Sequence, residues 1–252
     1  MLPAIVLAGA PNEGRLREVS SAPFEALIEV GGKPLAAYVL DALLATEDIS
    51  RIVVVAPEQL AQVYPRNDRL TFIPPKGKLL ENLSSALPPV ADAPKVLVVT
   101  GDLPLLTPAA IGAFLGLCRS KAEVYYPIIP RSVLERCYPG IKRTYVRLRE
   151  GVFTGGNVGL ARPAALARCL KQAEKLVAYR KNPLRLAWLL GPGFLFRFLA
   201  GKLSLAEAER KASELLGVQG KAVIAEIPEI GFDVDKPSDL ALVRRLMEFK
   251  QV

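Results

Sequence analysis

Three short apolar runs constrain this chain more than any other feature. Pro3-Ala-Ile-Val-Leu-Ala8 stops at Gly9, Arg51-Ile-Val-Val-Val-Ala56 stops at a proline, and Lys95-Val-Leu-Val-Val-Thr100 stops at Gly101. Continuous apolar runs of this length read as strands buried on both faces, which is the habit of parallel sheets covered by helices. Leu70–Pro74, Glu123–Ile129 and Lys221–Ile227 read as further strands. Helical spacing lies between them: Leu35, Val39, Leu40, Leu43 and Leu44 share one face, and Leu79–Leu87, Ala109–Arg119, Pro163–Leu176 and Leu205–Leu216 follow the same rule. The alternation predicts a three-layer α/β/α fold with a mixed, mainly parallel sheet.

Composition removes several chemistries. The 252 residues hold no histidine, so no His triad, His metal ligand or His general base exists here. Cys118, Cys137 and Cys169 are scattered without CxxC spacing, which suggests reduced thiols in a cytoplasmic protein. Any metal must sit on oxygen ligands, which favours Mg²⁺ or Mn²⁺. No apolar run reaches the length of a membrane span, and no basic leader precedes the first strand, so neither stable membrane insertion nor a signal peptide is expected. The net charge is +8, yet residues 131–185 alone carry thirteen Lys and Arg against three Glu. That local field suggests an anionic ligand, although surplus surface lysines give the same count. No recognition-helix or aromatic RNA signature accompanies it, so no nucleic-acid partner is expected.

The chemistry-bearing stretches lie where strands end. Gly9-Ala-Pro-Asn-Glu-Gly14-Arg15 is a loop after a strand, the place where backbone N–H groups cradle phosphates. Lys33 stands before Pro34 and a helix, where a cation and a helix dipole both favour an anion; a solvated lysine is the other reading. Asn82 lies in the first turn of the helix after Pro75-Lys-Gly-Lys78, a region suited to a base or ribose or to a plain loop. Gly101-Asp102-Leu-Pro104 puts one carboxylate at the end of a central strand, where open α/β sheets bind ligands. Asp102 as a helix cap is the alternative. Phe153-Thr-Gly155-Gly156-Asn157 offers either close backbone approach to a ligand or a bulge between strands. Asp233 and Asp235 share parity on an extended stretch before Pro237, so both point one way; Asp239 and Asp235 also suit the cap of the last helix. The apolar segment Pro183–Leu199, broken at Gly191-Pro-Gly193, is expected to pack on the sheet or against a second subunit, with a membrane-surface role as the lesser alternative.

Four of these stretches together resemble the MobA-like nucleotidyltransferases: Ile5-Val-Leu-Ala-Gly9 with Arg15, Gly32-Lys33-Pro34, Gly101-Asp102-Leu-Pro104, and Asp233-Val-Asp-Lys-Pro-Ser-Asp-Leu240. This group of glycosyltransferase-A-type folds includes molybdopterin guanylyltransferase, the cytidylyltransferase of isoprenoid synthesis and the sugar-phosphate nucleotidyltransferases. The resemblance spans nearly the whole chain and implies one NTP transferase domain over 1–252, with 131–217 as an acceptor-binding and dimer-forming extension. It implies an NTP held by Leu7, Ala8, Gly9, Ala10, Gly14, Arg15, Lys33, Asn82 and Gly101. An anionic small-molecule acceptor would meet Lys142, Arg143, Thr144, Gly155, Gly156 and Asn157. Lys33, Arg15 and Asp102 are the implied catalytic residues, and Asp102 and Asp235 the implied Mg²⁺ (or Mn²⁺) ligands. The first loop departs from the family pattern: Ala10 replaces a second glycine, and Pro11-Asn12-Glu13 follow. The implied reaction moves NMP from an NTP to the acceptor with release of pyrophosphate. A glycosyltransferase using a nucleotide-sugar and a nucleotide sensor without turnover are the two alternatives.

Overall fold

The computed structural model describes residues 1–179 and 190–248. Its first strand, β1 (Leu2–Leu7), runs into the glycine loop and a 3₁₀ turn over Arg15–Glu18. A small hairpin, β2 (Glu29–Val30) and β3 (Lys33–Pro34), turns on Gly31 and Gly32, both with positive φ, and leads into α1 (Leu35–Leu44). Then come β4 (Ile49–Val55), α2 (Glu58–Val63), β5 (Leu70–Ile73), α3 (Leu79–Ala86), β6 (Val96–Thr100) and α4 (Pro108–Leu117). The second half adds β7 (Val124–Pro130), α5 (Arg131–Cys137), β8 (Val146–Leu148), β9 (Gly151–Gly155), β10 (Val158–Ala161) and α6 (Pro163–Tyr179). It closes with α7 (Pro192–Leu199), α8 (Leu205–Leu216), β11 (Gly220–Ile224) and α9 (Pro237–Glu248).

The main sheet is ordered β5-β4-β1-β6-β10-β7-β9-β8, with β11 also on β7. β1, β4, β5 and β6 pair in parallel, as do β7 and β11, while β10 runs antiparallel between β6 and β7. The sheet is therefore mixed and mainly parallel, with helices on both faces. Residue parity explains why. Along β1, Ala4 and Val6 enter the larger core and Ile5 the other; Ile52 and Val54 oppose Val53 and Val55 in the same way. A strand buried on both faces has no polar side to show, hence the unbroken apolar runs. The larger core takes α1, α4 and α9 through Leu35, Leu40, Phe114, Leu240 and Val243, all at most 1% exposed. The second core takes α3 and α6.

Pro34 caps α1 rather than opening its first turn, because its ψ of 143° is extended. Thr107 caps α4 through its side chain, and Ser204 with Glu207 forms a capping box on α8, which ends at left-handed Gly217. Among the described residues no helix is long and apolar enough to cross a membrane. Of the apolar segment Pro183–Leu199, expected on the sheet or against a second subunit, the structure describes 190–199. Its described part, α7, has no fully buried residue, and Phe196 and Leu199 are 72% and 75% exposed. Only Phe194 joins a small cluster with Leu148, Phe153 and Leu203. Trp188 lies outside the described residues.

Candidate active site

β1 and β6 are parallel neighbours, so their C-terminal ends lie side by side, and a backbone bond from Gly101 N to Leu7 O (2.9 Å) extends the ladder past β6. The glycine is required there. A Cβ on Gly101 would stand 2.6 Å from Ala8 Cβ and 2.9 Å from Ala8 Cα. Asp102 follows at once. Its backbone carbonyl accepts from Val234 N at 3.1 Å, which pins the segment before α9 onto the end of β6. Residues about 130 apart in sequence are thereby brought to one point. Carboxylate oxygens of Asp102, Asp233 and Asp235 all lie within 4.8 Å of one another.

Three carboxylates this close repel, and burial deprives Asp102 and Asp233 of the water that would screen them. Burial pushes Asp102 up to about 6; the Thr100 hydroxyl, which donates to its Oδ1, opposes this, and Asp235 adds to it. Burial pushes Asp233 up to about 7, Arg143 works against the rise, and Asp102 and Asp235 reinforce it. Glu25 is a fourth carboxylate nearby: burial raises it first, then the charges of Asp235 and Asp233. Its backbone N donates to Ala10 O at 3.1 Å, which ties the Glu25 turn to the first loop. Asp233 and Glu25 are absent from the residues expected as ligands. Parity placed Asp233 beside Asp235; nothing local marks Glu25.

The first loop is a pinned structure. Asn12 is buried and donates to Ser20 O (3.1 Å) and Ala22 O (2.9 Å), closing the loop on itself. Gly9 faces Asn82: a Cβ there would meet Pro75 Cβ at 2.5 Å and Asn82 Nδ2 at 3.0 Å. Asn82 is 2% exposed and accepts from Lys76 N at 2.7 Å, so it holds the Pro75–Lys78 turn against the loop. Leu7, Ala8, Gly9, Asn82 and Gly101 are thus assembled around the end of β1. Ala10, Gly14 and Arg15 follow on the loop, with Gly14 and Arg15 exposed. Arg15 makes no ion pair among the described residues, leaving its guanidinium open to a ligand. Lys33 is different. Its ammonium pairs with Asp41 on α1 and lies 5.1 Å from the Tyr38 ring centre, instead of standing alone at the helix start.

The acceptor set needs two corrections. Arg143 was expected on the acceptor wall, but its side chain is 8% exposed and held by Asp239 (2.9 Å) and Asp233 (3.1 Å), with a further bond to Asp233 O. It is a buried counter-ion for the acidic segment. A basic stretch of sequence does not tell a solvated arginine from one whose partners come from another element. Gly155 and Gly156 were expected to admit a ligand, but protein fills that space. A Cβ on Gly155 would strike the Tyr126 phenol, and one on Gly156 would meet Pro127 Cγ (2.9 Å), Ile129 Cδ1 (3.0 Å) and Ile230 O (3.1 Å). Asn157 links the site through its backbone, accepting from Thr100 N (3.1 Å) and donating to Ile230 O (2.8 Å). Lys142 and Thr144 are exposed, and Lys142 O receives the Lys236 ammonium. Asp239 lies in the first turn of α9, where its side chain accepts from Asp235 N at 3.3 Å.

A mixed three-layer sheet with carboxylates at the carboxyl ends of its strands defines a nucleotide-binding α/β protein of the NTP transferase kind. Residues 4–217 match the MobA-like NTP transferase domain, and the chain belongs to that family. The match ends before Asp233 and Asp235. A solved structure from Thermus thermophilus, described as a hypothetical transferase, is 41% identical with a TM-score of 0.83, covering 95% of this chain and all of its own. The CMP:2-keto-3-deoxy-manno-octonic acid synthetase solved with CTP shares the fold at 15% identity and a TM-score of 0.60, covering 99% of this chain and 98% of its own. The 2-C-methyl-D-erythritol 4-phosphate cytidylyltransferase of Nocardia farcinica (strain IFM 10152) is 26% identical over 129 residues, 50% of this chain and 56% of that protein. The chain therefore spans little more than half the length of that curated relative.

Proposed function

We propose that this protein transfers a nucleoside monophosphate from an NTP to an anionic small-molecule acceptor and releases pyrophosphate. The observation that carries the reading is the carboxylate cluster of Asp102, Asp233 and Asp235 at the carboxyl end of the sheet, beside a pinned glycine loop. The donors are three hard oxygens close together, and burial holds Asp102 and Asp233 above the ordinary carboxylate range; such a set suits Mg²⁺ or Mn²⁺. Asp102 and Asp235, with Asp233, would hold the ion, which when bound neutralises phosphate charge and orients the reacting oxygens.

The chain's own residues do the rest. The Gly9–Arg15 loop binds the phosphates, and Arg15 offsets charge that grows on the leaving pyrophosphate. Lys33 joins it on release from Asp41. Asn82 fixes the turn that borders the nucleoside. Lys142 and Thr144, with the exposed cations of 131–217, supply the acceptor side. The acceptor oxygen forms a bond to the α-phosphorus as the bridging bond to the β-phosphate breaks, and its electron pair leaves on pyrophosphate. An anionic acceptor carries its own nucleophile, so no histidine base is required. The cytidylyltransferases among its structural likenesses make CTP the first donor to test.

The test is product analysis with each of the four NTPs and Mg²⁺. Pyrophosphate in step with acceptor consumption supports the reading; a nucleoside diphosphate marks glycosyl transfer, and tight NTP binding with no product marks a sensor. Asp102→Asn keeps the shape and is expected to lower the rate on the order of a thousandfold. Full activity in that variant refutes the mechanism.

A further inference from the structure

The end of β6 is tied down by its backbone. Thr100 N donates to Asn157 O at 3.1 Å, Gly101 N donates to Leu7 O at 2.9 Å, and Asp102 O accepts from Val234 N at 3.1 Å. The parallel register of β1 and β6 sets Leu7 opposite Thr100. With the main chain held at each residue, the direction of the Asp102 carboxylate is left to side-chain torsions. One partner governs them: the Thr100 hydroxyl donates to Asp102 Oδ1. A bond from a hydroxyl to a carboxylate is of the stronger, charge-assisted kind. Thr100 shares parity with Val96 and Val98, which pack in the second core, and a β-branched side chain on a packed strand has few rotamers open to it. The donor is therefore as fixed as the strand that carries it.

The arrangement matters because of what surrounds Asp102. Oxygens of Asp233 and Asp235 lie within 4.8 Å of its own, and their like charges push the carboxylate away from them. The Thr100 bond opposes that turn. It engages Oδ1 and leaves Oδ2 to a cation. Asp233 is held in a similar way, with Arg143 3.1 Å from its Oδ1. Arg143 also pairs with Asp239 and lies over the Phe232 ring, so removing it disturbs several contacts at once. Among the described residues the Thr100 hydroxyl bonds Asp102 alone, which makes its contribution separable.

We propose that Thr100 is a positioning residue of this site: its hydroxyl aims Asp102 so that the free carboxylate oxygen joins those of Asp233 and Asp235 on a divalent cation. The inference rests on the nucleotidyl-transfer reading for the ion's role, and it gives Thr100 no contact with nucleotide or acceptor.

The probe is Mn²⁺ alone, titrated into the full chain, with the free ion followed by electron paramagnetic resonance. Thr100→Val keeps the shape and removes the donor. It is expected to weaken Mn²⁺ binding at least ~10-fold, the usual effect of losing a group that orients a metal ligand, while circular dichroism and the urea midpoint show an intact fold. Thr100→Ser restores the hydroxyl and should bind close to the parent. Should the valine disturb the end of β6, Thr100→Ala removes the same hydroxyl without new bulk, and the same loss is expected of it. Folded variants without the hydroxyl that bind Mn²⁺ as the parent does overturn the proposal and leave nucleotidyl transfer standing. A serine variant as weak as the valine one also overturns it, because packing and not the hydroxyl then sets the affinity. A parent that binds no Mn²⁺ overturns the ion site and the role of Thr100 with it. Hydroxyl-dependent Mn²⁺ binding with no pyrophosphate released from any of the four NTPs overturns nucleotidyl transfer and leaves the role of Thr100 standing.

Discussion

Replacing Arg143 by Met keeps most of the side-chain volume and removes the charge. In the folded protein the guanidinium is 8% exposed and serves two carboxylates that are themselves 16% and 3% exposed, Asp233 and Asp239. It also lies 5.2 Å from the Phe232 ring centre, so it has little access to water. Breaking a buried pair by removing one partner costs about 3–5 kcal/mol, because the remaining charge has neither water nor counter-ion. Here one cation serves two anions, so the upper part of that range is expected near pH 8. That corresponds to a melting shift on the order of 10 °C for a chain of this size.

The pH dependence gives the test its edge. Asp102 and Asp233 have folded pKa values of about 6 and about 7, above the ordinary carboxylate value of 3.8. A carboxyl raised on folding contributes stability that is present below its unfolded pKa and lost as pH rises through the folded one. The parent protein without divalent ions should therefore lose stability from about pH 4 to about pH 7. Arg143 opposes the rise in Asp233, so its loss steepens the fall. Urea unfolding in EDTA at about pH 4.5, 6 and 8 measures this directly. The gap between parent and Arg143→Met should be small at the lowest pH and widen at each step. A gap under about 1 kcal/mol at pH 8, or one that is the same at all three values, would refute the account of Arg143 as a buried counter-ion.

Three further outcomes follow from the same geometry. Mg²⁺ should raise the melting point of the parent more at about pH 8 than at about pH 5, because an ion that binds only the folded, ionised cluster stabilises it by mass action; equal shifts would place the ion elsewhere. Gly101→Ala should cost about 1–3 kcal/mol in urea unfolding, since the new methyl meets the Ala8 backbone at 2.9 Å and cannot turn away; an unchanged midpoint would show that the end of β6 yields. Asp41→Asn should free Lys33 and tighten NTP binding by calorimetry with under about 1 kcal/mol change in stability, as the pair is solvent-exposed; unaltered affinity would remove Lys33 from the phosphate site.

What was legible in the sequence and what was not divides by the range of the interaction. β1, β4 and β6 are legible because burial on both faces leaves a mark in every residue of a strand, Ile5 no less than Val6. The meeting of Asp102 with Asp235 is legible because both sit where a strand or extended segment gives way to a helix, and parallel strands end on one edge. Arg143 was not legible: its partners lie 90 and 96 residues away, and a local count of cations is the same whether one of them is solvated or buried. The glycine pair 155–156 fails for a related reason. Glycine reports that something comes close, and only the partner strand β7 decides that the visitor is Tyr126 and Ile129 rather than a ligand. Gly9 and Gly101 obey the same rule, with Asn82 and Ala8 as the close neighbours.

That rule changes how the first loop is read. Gly9 and Gly101 are needed because Pro75, Asn82 and Ala8 occupy the space that a Cβ would take, which fixes the ends of β1 and β6 against each other. Ala10 departs from the family pattern, yet its carbonyl is used: it accepts from Glu25 N and ties the loop to the turn that brings a fourth carboxylate to the cluster. Asn12 then closes the loop on Ser20 and Ala22. These bonds restrain the altered loop, and a restrained loop loses less entropy when it closes on a ligand. On the nucleotidyl-transfer reading, rigidity of this kind suits a site where several anions are held in one geometry, and the cluster of Asp102, Asp233 and Asp235 is where the proposed divalent ion would bind.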